Sequence, residues 1–552
     1  MRYITTLFVL VLVSYFPNQS HPQSFIKSQR LLEGLNISNY ITNTGIFNQN
    51  TSQNNFPGLM WPKGSNKFAI FTSGITIAAF VNGRLRMASN SWTGEYRPGY
   101  IELENGNPEP KTNPGFRIYK ISSNDNCNNS IDWAEWGAMI PYGAPYTDKN
   151  NNCIYDPCID IPGVKHSYQT VFVHLTDGYP ESHYGSEGFG GGTKPLNAEM
   201  SITAWTYWEL PDVQYFKFNI VNKNDTAWER VRFSLMSDTD LGEALDDYIG
   251  CDSNRNLGIS YNAYNDDGFG GSTSYGINPP ASGQRILYFE GNPNTRLKLN
   301  SFTIFRNAGS STVVCETDPD IPVEAFNFMT GLKNDSTQFI HPGTFQPTKL
   351  IFSGDPDAFT GWSERGVDGD STLGFVDNCN GELTGNVYYS PGGNKRYVMG
   401  FGPFGFTMNP LDTQTIFMSQ MVARGANNFN AVTKLKLLSD QSQRVFDCMY
   451  DENYCDVNNI ISVPPTSFYL TNNYPNPFNP VTKIKYGVPY DYRVSIIVYD
   501  ILGNEIQVLH NGIQSEGNYE LEFNGSSLPS GVYYLRMKAG GFIVSRKMLL
   551  VK

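Results

Sequence analysis

What constrains this chain most is a strict two-residue alternation of apolar and charged side chains in several short runs. In "TKIKYGV", Ile484, Tyr486 and Val488 alternate with Lys483 and Lys485; in "YELEF", Tyr519, Leu521 and Phe523 alternate with Glu520 and Glu522. Successive side chains of a strand point to opposite faces. Such runs therefore bury one face in a sheet whose other face stays wet, the habit of antiparallel sheets. The pattern recurs mid-chain, where Phe216, Phe218 and Ile220 of "QYFKFNIVN" share a face, as do Val231, Phe233 and Leu235 of "RVRFSL". Between them "NKNDTAWE" offers Asn and Asp for a turn, which predicts an antiparallel hairpin. "TVFVHLT" and "QTIFMSQMVA" read as further strands.

Helical spacing is rarer. "NAVTKLKLLSDQSQRVF" sets Val432, Leu435, Leu438, Ser442 and Val445 on one stripe with Asn430 as the expected cap, and "PVEAFNFMTGL" reads as a short helix from Pro322 to Gly331. Tyr 33, Phe 35 and Gly 52 against 17% charged residues favour strands joined by turns. At 552 residues the chain exceeds one ordinary core, so two or three domains are expected. The expected class is mainly β: a β-sandwich-type central region with minor helix, followed by a smaller C-terminal β-sandwich.

The opening "MRYITTLFVLVLVSYF" sets Arg2 before an apolar run from Ile4 to about Val13. That run is too short to span a bilayer and suits a secretory signal over 1–24, with a buried first strand as the alternative. No later stretch is apolar enough for a membrane helix, so no transmembrane segment is expected in the mature chain. Residues 25–53, polar and Asn-rich, read as a loosely ordered lead-in to a β-rich region over 54–460. The adjacent prolines of "SVPPTSF" resist helix and central strand alike and mark a linker over 461–466. A net charge of -12, with no basic cluster to override it, excludes nucleic acid as a partner. Cys 8, without paired metal-binding spacing, suits an exported chain with disulfides. Cys153/Cys158 and Cys448/Cys455 are close enough to bridge locally, though spacing leaves the connectivity open.

Beyond the linker, "VSIIVYD" is a fuller apolar strand, Gly503-Asn504 in "ILGNEIQVL" marks a hairpin turn, and the last run turns again at Gly540-Gly541. About seven short strands over 467–552 predict a small immunoglobulin-like sandwich. Here "NYPNPFNPVTKIKYGVP", "VYDILGNEI", "LPSGVYYLRM" and "RKMLLVK" closely resemble the C-terminal sorting domain of type IX secretion substrates, related to the FlgD-like immunoglobulin fold. The resemblance implies that Tyr474, Pro475, Asn476, Pro477, Phe478, Asn479, Pro480, Gly503, Gly531, Tyr533, Arg546 and Lys547 carry the sorting motif. It implies type IX secretion machinery as partner, a bacterium of the Bacteroidota or their relatives, and delivery through the periplasm to the cell surface or beyond.

Two acidic stretches are candidate cation sites. "DKNNNCIYDP" spaces Asp148, Asn150, Asn152, Ile154 and Asp156 at alternate positions, a register that supplies side-chain oxygens and one main-chain carbonyl to calcium. It resembles the loops of thrombospondin type 3 and dockerin repeats, except that Cys153 stands where those loops turn on Gly. A metal-free Asn/Asp turn is the alternative. In "SDTDLGEALDDYIGCDSNRNLG", Asp238, Asp240 and Asp247 are the chosen ligands among five aspartates, because gathered carboxylates repel unless a cation joins them. A glycosidase reading would need two carboxyls across a cleft; Glu187, Glu209, Asp355 and Glu364 are nominees that no motif pairs. His166, His174 and His183 lie close together without a zinc motif, no nucleophile elbow or phosphate loop appears, and Trp362 is expected to pack rather than stack on sugar. The expected function is that of a secreted or cell-surface, calcium-stabilised binding or structural protein with no catalytic residues, facing an extracellular polymer or cell-surface partner. A secreted hydrolase is the alternative.

Overall fold

The computed structural model describes residues 27–552 except 53–55, 105, 110–114, 184–188, 269–270, 291–298, 308–312, 382–385, 404, 451–464, 466–467, 490–491 and 541. The proposed signal, almost all of the proposed linker, Glu187, Cys455 and Gly541 lie outside the described residues. Among those described, two large antiparallel sheets face one another. The first runs Leu299–Arg306, Lys395–Phe401, Glu229–Asp238, Thr72–Val81, Ile46–Phe47, Ser38–Thr42, Leu59–Met60 and Phe68–Ile70. The second runs Arg97–Pro98, Gln169–Thr176, Ala198–Thr206, Val213–Asn222, Thr413–Ala423, Ala281–Glu290, Leu257–Asn262 and Asp247–Asp252. The expected class, mainly β with sandwich layers and little helix, is what the chain adopts.

The predicted hairpin is instead an arch. Val213–Asn222 pairs with Ala198–Thr206 and Thr413–Ala423, whereas Glu229–Asp238 pairs with Thr72–Val81 and Lys395–Phe401. The turn between them carries the chain across the core, pinned by Trp228, whose N–H donates to Met408 O at 2.9 Å. Phe216, Phe218 and Ile220 then meet Val231, Phe233 and Leu235 within one core from opposite layers. Alternation reports that each strand has a buried face; it does not report whether the next strand lies beside it or opposite.

The lead-in is also corrected. Gln29–Glu33 and Ser38–Thr42 are paired strands, and Asn39, Asn48 and Gln49 are fully buried. The amides of Asn39 and Asn48 join a polar network between the layers: Asn39 Nδ2 donates to Asn48 Oδ1 (2.9 Å), Asn48 Nδ2 to Gln420 Oε1 (2.9 Å), and Gln420 Nε2 to Gln214 Oε1 (2.7 Å). Gln284 donates from Nε2 to Ser73 Oγ (3.0 Å) and accepts at Oε1 from Tyr397 Oη (2.6 Å). Buried amides are tolerated when bonded in this way. The polar composition that reads as loose order is here interior material.

The helix Asn428–Tyr450 lies on the outer face of the second sheet, its stripe of Val432, Leu435, Leu438 and Val445 packed on Leu257, Ile259, Tyr261, Phe417 and Met421. Its cap is Asn427, whose Oδ1 accepts from Asn430 N at 2.8 Å, so Asn430 sits in the first turn rather than capping it. The second helix, Pro322–Thr330, starts on Pro322 and ends on left-handed Gly331 as expected. Of the cysteines, Cys158 bonds Cys127 rather than Cys153, which is exposed and free, and Cys315 bonds Cys379. Cys251 is buried and free, and Cys448 is disulfide-bonded.

The C-terminal module has its own core. Tyr469–Leu470, Val481–Val488 and Gly517–Asn524 form one sheet; Glu505–Gln514, Tyr492–Tyr499, Gly531–Ala539 and Phe542–Leu550 form the other. The alternation holds, with Ile484, Tyr486 and Val488 inward and Lys483 and Lys485 outward, and Gly503 (φ 87°) makes the expected turn.

Candidate functional site

The loop from Asp148 to Asp156 folds onto itself. Asp148 accepts from Asn152 N through Oδ1 (3.3 Å) and from Cys153 N through Oδ2 (2.8 Å); Asn152 Oδ1 accepts from Ile154 N (2.8 Å). Asn150 Nδ2 and Asn152 Nδ2 donate to Asp156 Oδ2 at 2.8 and 2.9 Å, which holds that exposed carboxyl below its ordinary value. Cys153 adopts φ 60°, so the cysteine itself makes the left-handed turn that a glycine would make. Sequence reasoning missed Asp160, a buried residue whose Oδ1 accepts from Lys149 N and Oδ2 from Asp156 N, both at 2.8 Å. Its signal would have been the further carboxylate four residues past Asp156. Ile154 is exposed.

The second stretch lies where the chain leaves the first sheet at Asp238 and enters the second at Asp247. Asp238 is 2% and Asp247 1% exposed. Trp92 Nε1 donates to Asp238 Oδ2 at 2.7 Å, and Arg396 Nε stands 3.3 Å from Oδ1. Asp240, in left-handed backbone at φ 42°, lies close enough to Asp238 to feel its charge. Burial and then the Asp238 charge push it up to about 8. Asp247 Oδ2 accepts from Leu241 N at 2.9 Å, and burial followed by the charges of Asp246, Asp240 and Asp267 drives its carboxyl well up. Oδ1 of each of Asp238, Asp240 and Asp247 is shielded from solvent and accepts no hydrogen bond.

Two residues that sequence reasoning missed complete this group. Asn262, the register partner of Asp247, donates from Nδ2 to Asp246 Oδ1 (2.9 Å) and Asp267 Oδ1 (3.2 Å). Asp267 is fully buried and also accepts from Glu243 N (3.0 Å) and Tyr275 N. Burial, then neighbouring charge, raises Asp246 to about 6; burial also raises Asp267. Strand pairing, not sequence proximity, places Asn262 there. Among the described residues the trio of Cys, His, Asp or Glu ligand atoms that falls within 4.8 Å of one another is Cys315, Asp377 and Cys379, two of which are already joined in a disulfide.

The nominated catalytic carboxyls do not gather. Glu364 is sealed with Lys395, their side chains 0% and 2% exposed, and also accepts from Ser390 Oγ (2.7 Å) and Ile249 N (2.6 Å). Asp355 pairs with Lys436 on the long helix at 2.9 Å, and Glu209 is exposed. The three histidines part company as well. His166 is exposed, His174 lies 3.5 Å from Glu199, and His183 is enclosed between Glu95 (3.3 Å) and Asp177 (3.6 Å). Trp362 packs on Phe352 and donates to Gly374 O at 2.8 Å.

In the C-terminal module the two ends of the motif meet. Asn476 Nδ2 donates to Lys547 O (3.0 Å) while its Oδ1 accepts from Leu549 N (2.9 Å). Phe478 N donates to Leu549 O, and Val551 N to Phe478 O. Arg546 Nε reaches Leu470 O at 2.9 Å. The run thus covers the outer edge of the last strand, which would otherwise offer unpaired backbone to other chains. Phe478 is the buried anchor, while Tyr474, Pro475, Pro477 and Asn479 face solvent. Asn473 Nδ2 ties the run to Pro475 O and Thr482 Oγ1. Tyr533, two residues after Gly531, donates from its hydroxyl to Pro529 O at 2.9 Å. The family model described as secretion system C-terminal sorting domain matches residues 472–552. This module is a type IX sorting domain.

The sorting domain directs export by type IX secretion, to the cell surface or the extracellular space, and its partner in that step is the secretion machinery. No helix among the described residues is long and apolar enough to cross a membrane. No curated protein matches the chain. Among solved structures, a polysaccharide lyase is similar at 7% identity and TM-score 0.16, over 64% of this chain and 34% of its own. The chain thus spans about a third of that structure's length, and a likeness this faint carries no argument about activity.

Proposed function

We propose that the sandwich preceding the sorting domain is a calcium-stabilised binding or structural protein, displayed on the surface or released, that engages an extracellular polymer or a cell-surface partner. In this reading a secretory signal over 1–24 takes the chain across the first membrane of a Bacteroidota-type bacterium, and the sorting domain takes it across the second. The observation that carries it is the attachment of a sorting domain to a sandwich whose described histidines and nominated carboxyls are mostly spent on structural contacts. A secreted hydrolase would need two of those carboxyls facing each other across an open cleft. Deleting 467–552 is the test of the route: the truncated chain should accumulate in the periplasm, and undiminished export would refute it. For calcium, the melting temperature of the full chain should fall on chelation, because a ligand bound only to the folded state stabilises it.

A further inference from the structure

We propose that the sorting domain is read through its open edge: an extended segment of the secretion machinery, alternating apolar with basic side chains, adds as a further strand beside Gly517–Asn524. This rests on the export route above and names the surface that serves it. The module is closed on one side only. There the run around Phe478 covers Phe542–Leu550, and Arg546 ties that strand to Leu470 of the other sheet. On the opposite side Glu505–Gln514 and Gly517–Asn524 each end their sheet, and only Ser515 and Glu516 separate them, so the two free edges run side by side. Glu505–Gln514 pairs with Tyr492–Tyr499 through two register shifts, and such bulges turn an edge away from new partners. Gly517–Asn524 holds no proline and keeps unbroken register with Val481–Val488. Among the described residues no backbone hydrogen bond reaches residues 519–524 from the far side.

The core behind that edge is incompletely covered. Ile484, Val494, Ile496, Leu535 and Met537 of the inner strands are 0% exposed, whereas Tyr519, Leu521, Ile506 and Leu509 pack on the same core half-buried. An added strand covers these four with every second side chain while its main chain pairs with the edge, the usual mode of recognition by strand addition. Charge selects its other face. The two edges carry Glu505, Glu520 and Glu522 and no Lys or Arg. Glu520 and Glu522 are exposed on the outward face of Gly517–Asn524, so a strand laid beside them is favoured when it brings Lys or Arg at alternate positions. The same row disfavours a second copy of this chain. Pairing the edge with itself sets glutamate against glutamate, and the basic strand Phe542–Leu550 already has its edge covered.

The test follows export of the full chain in a cell that carries the machinery. A swap variant combines Glu520→Lys and Glu522→Lys with Lys483→Glu and Lys485→Glu, which keeps the cross-strand partners opposite in charge and reverses only the sign the edge presents. A control, Lys483→Gln with Lys485→Gln, alters the same sheet face one strand in from the edge. The swap variant should be exported at least about ten-fold less than wild type and accumulate in the periplasm, because like charges then face each other across the new pairing. The control should be exported as wild type. Purified, the swap variant should melt within about 3 °C of wild type, which separates a lost contact from a broken fold. Should it fail to fold, single Glu522→Lys, which keeps the Lys483–Glu520 pair, decides, with export reduced at least about three-fold. A photocrosslinking side chain in place of Glu522 should join an extended basic segment of a machinery component. Wild-type export of the swap variant, an equal loss in the control, or a crosslink to a second copy of this chain would overturn the edge while sparing the sorting route. Undiminished export after deleting 467–552 would overturn both.

Discussion

Lys395→Met isolates what one charge does inside the sandwich. The Lys395 and Glu364 side chains are 2% and 0% exposed, and Glu364 has further donors in Ser390 Oγ at 2.7 Å and Ile249 N at 2.6 Å. Methionine keeps most of the stem's volume, so the loss is electrostatic rather than a cavity. Removing one partner of a buried pair costs about 3–5 kcal/mol, because the remaining charge stays uncompensated. The pH dependence follows from the lysine. Burial pushes the Lys395 ammonium down to about 8, below its unfolded value of about 10.4, so between those values the unfolded chain binds more protons than the native one and wild-type stability should rise with pH, a rise the methionine variant lacks. Urea unfolding followed by tryptophan fluorescence reads the sandwich alone, since the Trp residues, 8 in all, run from Trp61 to Trp362 and the sorting domain has none. Glu364→Gln with Lys395→Met should recover much of the loss, since the Ser390 hydroxyl can turn to accept from the amide. A single variant whose stability rises above about pH 8 as the wild type's does, or a double variant worse than the single, would refute the reasoning.

Other outcomes follow from single contacts. Gln420→Leu strips Asn48 and Gln214 of their amide partner in the interlayer network and should cost about 2–4 kcal/mol in the same urea assay. Removing the Cys315–Cys379 bridge, whose partners are 64 residues apart, should cost about 4 kcal/mol through the freed loop, visible as a matching drop in the urea midpoint. Asn427→Ala uncaps the long helix and should cost about 1 kcal/mol, with Asn427→Ser restoring it. Gly94→Ala would set a Cβ 1.9 Å from Thr44 O, so the backbone must shift and the melting temperature must fall; an unchanged melt would show that the turn yields freely.

How much of this was legible in the sequence depends on whether the information was local. The strands of the sorting domain were legible, because in a small two-sheet module each strand shows the core one face only, and alternation encodes that face residue by residue. The helix stripe was legible for the same reason at a different period, and its cap was misplaced because Asn427, Asn428 and Asn430 are the same residue type and only the hydrogen bond chooses among them. In the large sandwich the inner strands bury both faces, so Gln169–Thr176 and Ala198–Thr206 are buried at every position whether polar or not. Periodicity has nothing to report there.

The interior polar groups explain the rest. Asn48, Gln214, Gln284 and Gln420 come from segments far apart in the chain and satisfy one another only after the layers close. No window of sequence contains that partnership, which is why a buried Asn-rich segment reads as a loose leader. The crossover acids show the converse. Asp238, Asp240 and Asp247 were conspicuous because one short loop holds them, whereas Asn262 arrives as the cross-strand neighbour of Asp247 and Asp267 from the hairpin beyond it. Arches and crossovers join strands of opposite sheets, so their loops pass over the ends of the core, where backbone and carboxylate groups lack the ladder partners that sheets supply. In this molecule the polar burden left by one such crossing gathers beside Asp247, whose buried carboxyl bonds Leu241 N through one oxygen and keeps the other without a donor.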